Sequence, residues 1–221
     1  MTQSAMSILV KICGLKTRET MAAALEAGAD YVGLVFFGPS PRNVTVTDAI
    51  ELAEMARGRA KIVALTVDAD DDLIRAISGE LSPQIIQCHG SESVERLRQI
   101  RVMSRSDVMK AIKVATADET RAALDYAYPK GPCELVLFDA KAPKNSVLPG
   151  GNGLAFDWRI LDNLPESLNY MLSGGLDADN VAEAVRLTGA GAVDVSSGVE
   201  SSPGVKDIAR IRDFLAAAKA L

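Results

Sequence analysis

A thiol stands where an apolar strand pattern gives way to a glycine, in Val10-Lys11-Ile12-Cys13-Gly14-Leu15. A cysteine so placed can act as a base or nucleophile if its pKa falls from about 8.5 toward neutrality. Asp139 follows Leu135-Val136-Leu137-Phe138 directly, and no helix pattern begins for many residues after it. A carboxyl at a strand end, under a long loop, suits a general acid. Arg42 lies in Pro39-Ser40-Pro41-Arg42-Asn43, a stiff loop from which a guanidinium can grip a carboxylate with two parallel hydrogen bonds. Gly174-Gly175 and Ser196-Ser197-Gly198 are glycine-bearing turns after short apolar runs. Such turns ahead of helices offer backbone N–H groups to an anion. Lys11 shares the Cys13 face by strand alternation, and a buried lysine needs a carboxylate, for which Asp194 is the candidate. Gln87 and His89 complete the polar set at strand ends.

Each residue also has a bland reading. Cys13 taken alone reads as a small buried hydrophobe, as Cys88 and Cys133 do. Asp139 taken alone reads as a turn acid, and Arg42 as a surface cation. His89, the only histidine, serves equally well as a structural hydrogen-bonding group. What raises these residues above those readings is that they occupy equivalent places in a repeating pattern.

That pattern is strict alternation of short apolar strands with amphipathic helices. Strands are predicted at Ile8–Ile12, Tyr31–Phe36, Ala60–Val67, Gln84–Gln87, Val108–Val114, Glu134–Phe138, Tyr170–Leu172 and Ala192–Val195. Helices are predicted at Thr17–Ala27, Thr47–Ala56, Asp70–Ser78, Ser93–Arg101, Asp118–Tyr126, Phe156–Leu161, Asp179–Thr188 and Lys206–Ala218. Strands without polar alternation belong to a parallel sheet covered on both faces, and alternating units imply right-handed crossovers. Eight units of this length predict one (β/α)₈ barrel domain over residues 1–221. An open doubly wound sheet is disfavoured because the turn after the first strand holds a single glycine, Gly14. In a barrel, chemistry belongs to the loops after the strands, where Cys13, Arg42, Gln87, His89, Asp139 and both glycine turns are read, and phosphate is often held after strands seven and eight. The segment Asp139–Leu154 exceeds an ordinary barrel connection.

Composition narrows the function. A hydrophobic fraction of 48% supports a large core, and a net charge of −5 without charged blocks argues against nucleic acid or an anionic membrane as partner. Three widely spaced cysteines argue against a disulfide framework and for a reducing cytoplasm. One histidine excludes a multi-histidine metal site, and no carboxylate cluster replaces it. Met1–Ser7 is too short and polar for a secretory signal, and no apolar run is long enough to span a bilayer.

Read together, the motifs resemble a known family. They are Val10-Lys11-Ile12-Cys13-Gly14-Leu15, Pro39-Ser40-Pro41-Arg42, Gln87-Cys88-His89-Gly90, Leu137-Phe138-Asp139-Ala140 and Gly150-Gly151-Asn152-Gly153 with Phe156-Asp157-Trp158. Ser173-Gly174-Gly175-Leu176, Asp194-Val195-Ser196-Ser197-Gly198-Val199-Glu200 and Pro203-Gly204-Val205-Lys206-Asp207 complete the set. In this order they look like the phosphoribosylanthranilate isomerases of tryptophan biosynthesis, over nearly the whole chain. The resemblance implies a cofactor-free Amadori rearrangement of N-(5′-phosphoribosyl)anthranilate to 1-(2-carboxyphenylamino)-1-deoxyribulose 5-phosphate. It implies Cys13 as general base and Asp139 as general acid, Arg42 on the anthranilate carboxylate, and the Gly174-Gly175 and Ser196–Gly198 turns on the phosphate. Partners are then limited to a small phosphorylated substrate, with the chain a monomer or homodimer. Asn152 and Leu154 depart from the family's usual loop, which reads Gly-Gly-Thr-Gly followed by Lys. The related histidine-pathway isomerase, which resembles this one in chemistry, carries an aspartate where this chain has Cys13. A non-catalytic phosphate-binding barrel would need neither Cys13 nor Asp139.

Overall fold

Polar caps start the long helices, and the strand runs between them leave one arrangement that buries both sheet faces. Thr17, Thr45, Asp70, Ser93 and Asp207 each accept a backbone N–H from the first turn that follows, satisfying donors a helix start otherwise leaves orphaned. The computed structural model describes residues 8–141, 157–162 and 164–221. Its elements run β1 (Leu9–Cys13), α1 (Arg18–Glu26), β2 (Tyr31–Phe36), α2 (Val46–Ala56), β3 (Lys61–Thr66), α3 (Asp71–Leu81), β4 (Ile85–Cys88) and α4 (Val94–Ser104). They continue β5 (Asp107–Val114), α5 (Ala117–Thr120), α6 (Ala123–Tyr126), β6 (Leu135–Ala140), a 3₁₀ turn (Trp158–Leu161), β7 (Tyr170–Leu172), α7 (Val181–Thr188) and β8 (Ala192–Val195). A second 3₁₀ turn (Ser197–Val199), β9 (Glu200–Ser202), β10 (Val205–Lys206) and α8 (Ile208–Lys219) end the chain.

Strands β1 to β8 form a closed parallel barrel in sequence order, with β1 pairing β8 to shut the ring. The predicted (β/α)₈ architecture is the observed one. Two differences have physical causes. The single helix expected over Asp118–Tyr126 is two four-residue pieces, α5 and α6, with a break at Arg121-Ala122. The last helix starts at Ile208 rather than Lys206, because Lys206 belongs to the antiparallel β9–β10 hairpin and Asp207 supplies the cap. The glycine-rich segment 150–153, Leu154, Phe156 and most of the long 140–154 connection lie outside the described residues.

The core has two parts separated by the barrel wall. Outward-facing strand residues such as Val10, Ile12, Val32, Phe138 and Val193 pack with helix residues including Met21, Ile77 and Phe214. Inside, Tyr31, Val63, Ile85, Met109, Leu137, Met171 and Ala192 fill one end of the barrel. Cys13, Val35 and Leu65 form a small apolar group toward the other end, with Phe37 and Val67 beside it. Burial of this kind stabilises by roughly 25 cal/mol per Å² of apolar surface. The apolar plug at one end leaves the strand C-termini as the place where polar side chains project inward.

A buried ion pair also lies on the outer side of the wall. Lys110, flanked in sequence by the inward-facing Met109 and Ala111, turns outward and pairs with Glu92 at 2.9 Å. Glu92 also accepts from the Asp68 amide at 2.9 Å, and Lys110 Nζ donates to the Gly90 carbonyl at 2.7 Å. This pair ties the ends of β3 and β4 to the middle of β5.

Candidate active site

Cys13 is the last residue of β1 and is 3% exposed. Its register partner on β2 is Gly33, where a Cβ would come within 2.9 Å of the thiol sulfur and 3.2 Å of Lys11 Nζ. The glycine is therefore the space in which thiol and ammonium meet. Gly14, at φ +80°, turns the chain next; a Cβ there would strike the Arg42 side chain. Burial pushes the Cys13 thiol up, Lys11 and Lys206 pull it down, Asp194 pushes it up, and the net direction is upward.

Lys11 is fully buried inside the barrel. Its Nζ donates to Asp194 Oδ1 at 2.9 Å, across the β1–β8 seam where the two residues face each other in register. Ser173 Oγ donates to the other Asp194 oxygen at 3.1 Å. Burial alone would lower the Lys11 pKa, but Asp194 and the thiol outweigh it and hold the ammonium above its ordinary value. The expected Lys11–Asp194 pairing is present.

Asp139 lies within β6, one residue before its end, rather than just beyond the strand, and is 4% exposed. Its Oδ2 is 3.2 Å from His89 Nε2, while Gln87 Nε2 is 3.3 Å from His89 Nδ1. All three side chains are buried, and Gln87 Oε1 has no hydrogen-bond partner among the described residues. Gln87 and His89 thus belong to the Asp139 side of the site. Cys88, between them in sequence, packs in the outer core, as its alternation required.

Arg42 is not the surface cation of the bland reading; it is 5% exposed. Its Nε and Nη2 donate to the two Glu200 oxygens at 2.7 and 2.8 Å. That edge of the guanidinium is committed within the protein to Glu200. Glu200 also accepts from Lys206 Nζ at 2.8 Å and from the Gly204 amide at 3.1 Å. Burial would raise the Glu200 carboxyl, but Arg42 and Lys206 outweigh it and leave it below the usual range. Desolvation dominates at Lys206 and lowers its pKa.

The two glycine turns differ. Gly174 and Gly175 both have positive φ, +91° and +67°, and a Cβ on Gly174 would reach within 2.5 Å of the Ala140 amide nitrogen. Gly198 has no room for a Cβ because the Leu176 carbonyl occupies the position. Gly198 is the middle residue of a three-residue 3₁₀ turn, Ser197–Val199, which leads into the hairpin and not straight into a helix. Ser196 Oγ donates to the Cys13 carbonyl at 3.2 Å, and Lys206 Nζ donates to the Ser196 carbonyl at 2.8 Å. Ser196 thus links the thiol strand to the hairpin. Glu200 and Lys206 were not singled out as site residues; the signal for them was the Asp194–Asp207 stretch as a whole.

The described residues therefore bring a buried thiol with an ammonium beside it, and a buried carboxylate with an imidazole beside it, to the C-terminal end of one barrel. This is where comparison with known proteins decides. A family model described as N-(5′-phosphoribosyl)anthranilate (PRA) isomerase matches residues 10–217. The chain belongs to the phosphoribosylanthranilate isomerase family. It is 56% identical over 215 residues to the N-(5′-phosphoribosyl)anthranilate isomerase of Bradyrhizobium sp. strain BTAi1, covering 97% of each chain. A crystal structure of a phosphoribosyl anthranilate isomerase in complex with reduced 1-(o-carboxyphenylamino)-1-deoxyribulose 5-phosphate aligns with TM-score 0.83 at 31% identity, covering 97% of this chain and 100% of that one. A structure of generated monomers of the dimeric isomerase from Thermotoga maritima aligns with TM-score 0.82 at 32% identity, covering 97% and 100%. The chain is thus an enzyme, an isomerase of tryptophan biosynthesis on a TIM barrel. No helix of the isomerase, among the described residues, is long and apolar enough to cross a membrane.

Proposed function

We propose that this isomerase converts N-(5′-phosphoribosyl)anthranilate to 1-(2-carboxyphenylamino)-1-deoxyribulose 5-phosphate, without a cofactor, using Cys13 and Asp139 as base and acid. The single observation that carries the reading is their placement. Cys13 ends β1 and Asp139 nearly ends β6, far apart around an eight-strand ring, both buried and both facing inward. Asp139 protonates the ribose ring oxygen, and the ring C1′–O bond breaks to give an iminium. Cys13 thiolate removes the C2′ proton, giving an enolamine that tautomerises to the ketone. The aminoaldose and aminoketose are isomers, so no electron acceptor is needed. Acid and base on opposite sides of the sugar is the geometry these steps require.

The residues around each group support its part. His89 can serve Asp139 in both protonation states. With Gln87 Nε2 donating to Nδ1, the ring Nε2–H donates to an ionised Asp139. With the amide turned over, Gln87 Oε1 accepts from Nδ1–H, and Nε2 accepts the proton of a neutral Asp139. Arg42 holds the anthranilate carboxylate, as a guanidinium can with parallel hydrogen bonds. Gly174, Gly175, Ser197 and Gly198 offer amides to the phosphate, and Ser196 braces that turn. The partner is this small phosphorylated substrate; the enzyme works in the cytoplasm as one barrel domain, as a monomer or a homodimer.

The test is a fluorescence assay that follows loss of the phosphoribosylanthranilate signal with purified protein. Turnover that disappears in both Cys13→Ser and Asp139→Asn is the expected result. Stabilisation by phosphate without turnover would instead favour a non-catalytic binding barrel.

A further inference from the structure

We propose that Lys11 is the positioning residue that makes Cys13 available as a thiolate, supplying the counter-charge at the sulfur while Asp194 holds the ammonium in place. This rests on the reading of Cys13 as base and adds how a buried thiol reaches that state.

A thiol that is only 3% exposed is held protonated by its surroundings, because the interior disfavours the charged form. A base so placed needs a cation within a few ångströms. Lys11 Nζ and Cys13 Sγ both lie within 3.2 Å of one point, the space above Gly33 that a side chain would fill. Lys11 is itself fully buried, which demands a reason. Its ion pair with Asp194 satisfies the charge but does not account for it, since an apolar pair of similar volume would close the seam as well or better. What an apolar pair lacks is a positive charge two residues from the thiol on the same strand face.

The other charges around Cys13 are accounted for. From β8 comes Asp194, which opposes thiolate formation and is paired with the Lys11 ammonium. From the hairpin comes Lys206, whose Nζ is engaged with Glu200 and the Ser196 carbonyl. Arg42, in the loop after β2, is tied to Glu200. Among the described residues, the apolar neighbours Gly33, Val35 and Leu65 carry no charge. Lys11 has the larger effect of the two lysines on the thiol and is the cation whose removal the arrangement should feel most.

The experiment measures how the alkylation rate of Cys13 in the intact chain depends on pH, with iodoacetamide as probe and mass spectrometry locating the adduct. Burial raises the Cys88 thiol and pushes Cys133 up to about 12, so both stay protonated over the working range. Lys11→Met should displace the rate–pH curve upward by about 1–3 pH units, the shift a neighbouring opposite charge produces. Lys11→Arg, which keeps the charge, should restore most of the wild-type curve. A purely structural role would not distinguish Met from Arg in this direction. Lys11→Met strands a buried Asp194, so Lys11→Met with Asp194→Asn, which leaves no unpaired charge, is the second variant; it should also shift upward, by less. A curve unchanged from wild type in either Met variant overturns the proposal. The reading of Cys13 as base fails separately, by near-normal kcat in Cys13→Ser, because alkylation is read without turnover.

Discussion

Exchanging one heteroatom at position 13 is the sharpest perturbation the site allows. Cys13→Ser keeps the shape around Gly33 but replaces the thiol with a hydroxyl far harder to ionise near neutral pH. Asp139→Asn keeps its place beside His89 but cannot donate the proton. Acid–base groups contribute about 10²–10⁴-fold each, so steady-state assays should show kcat falling by that order in either variant with KM within a few fold. Cys13→Asp substitutes one base for another and should recover part of the activity lost in Cys13→Ser. Arg42→Ala should weaken substrate binding by about 1.5–3 kcal/mol, the range for a hydrogen bond to a charged group. Arg42→Lys should recover only part, because an ammonium lacks the planar fork with which Arg42 holds Glu200. An unchanged KM in Arg42→Ala would confine the residue to its internal partner. At this scale the sequence was informative where alternation along one strand decides which way a side chain points, as for Lys11, Cys13, Gln87 and His89. It was silent on the contact between Arg42 and Glu200, which joins loops 158 residues apart.

The β9–β10 hairpin is the element that propensity reading missed. Its strands are two and three residues long, too short to leave a pattern, and Pro203-Gly204 reads as a plain turn before a helix. Only the structure shows that Gly204, at φ +78°, has no room for a Cβ beside the Pro41 carbonyl, so the hairpin seats directly on the Arg42 loop. Glu200 joins the two. A carboxyl held below its ordinary value contributes stability above its unfolded pKa of about 4.3, and loses it as pH falls through the lower folded value. Urea unfolding at neutral pH should therefore show Glu200→Gln less stable by about 3–5 kcal/mol, the cost of removing one partner from a buried ion pair. As pH falls from the unfolded pKa of about 4.3 through the lower folded value, the gap between variant and wild type should narrow, because the unfolded wild-type chain takes up the proton first. A gap constant across pH would show that the carboxylate charge contributes nothing. Helix five failed as a single element for a related reason: two four-residue turns carry too little periodicity to reveal the break between them.

The whole molecule was the most legible level, because eight repeats of one supersecondary unit over-determine a closed ring even when several boundaries are off by two or three residues. A ligand that bridges the neighbouring turns after β7 and β8 should stabilise the closed ring as a whole. Inorganic phosphate at 100 times its Kd should add about 2.7 kcal/mol, read as a rise in Tm of several degrees. A Tm indifferent to phosphate would remove the glycine turns from the phosphate site. The ring also has a seam. Lys11 and Asp194 pair across it, 183 residues apart along the chain, between the first strand and the last. Any chain emerging from synthesis makes the thiol strand first and its charge anchor almost last. Until β8 docks, Lys11 has no carboxylate opposite it and the Cys13 carbonyl lacks its Ser196 donor. Catalytic competence is thereby tied to the contact that costs most loop entropy to make. On refolding from denaturant, isomerase activity should return with the slowest phase of barrel formation, after helical signal is already in place. Fragments ending before Ala192 should collect secondary structure and never turn over.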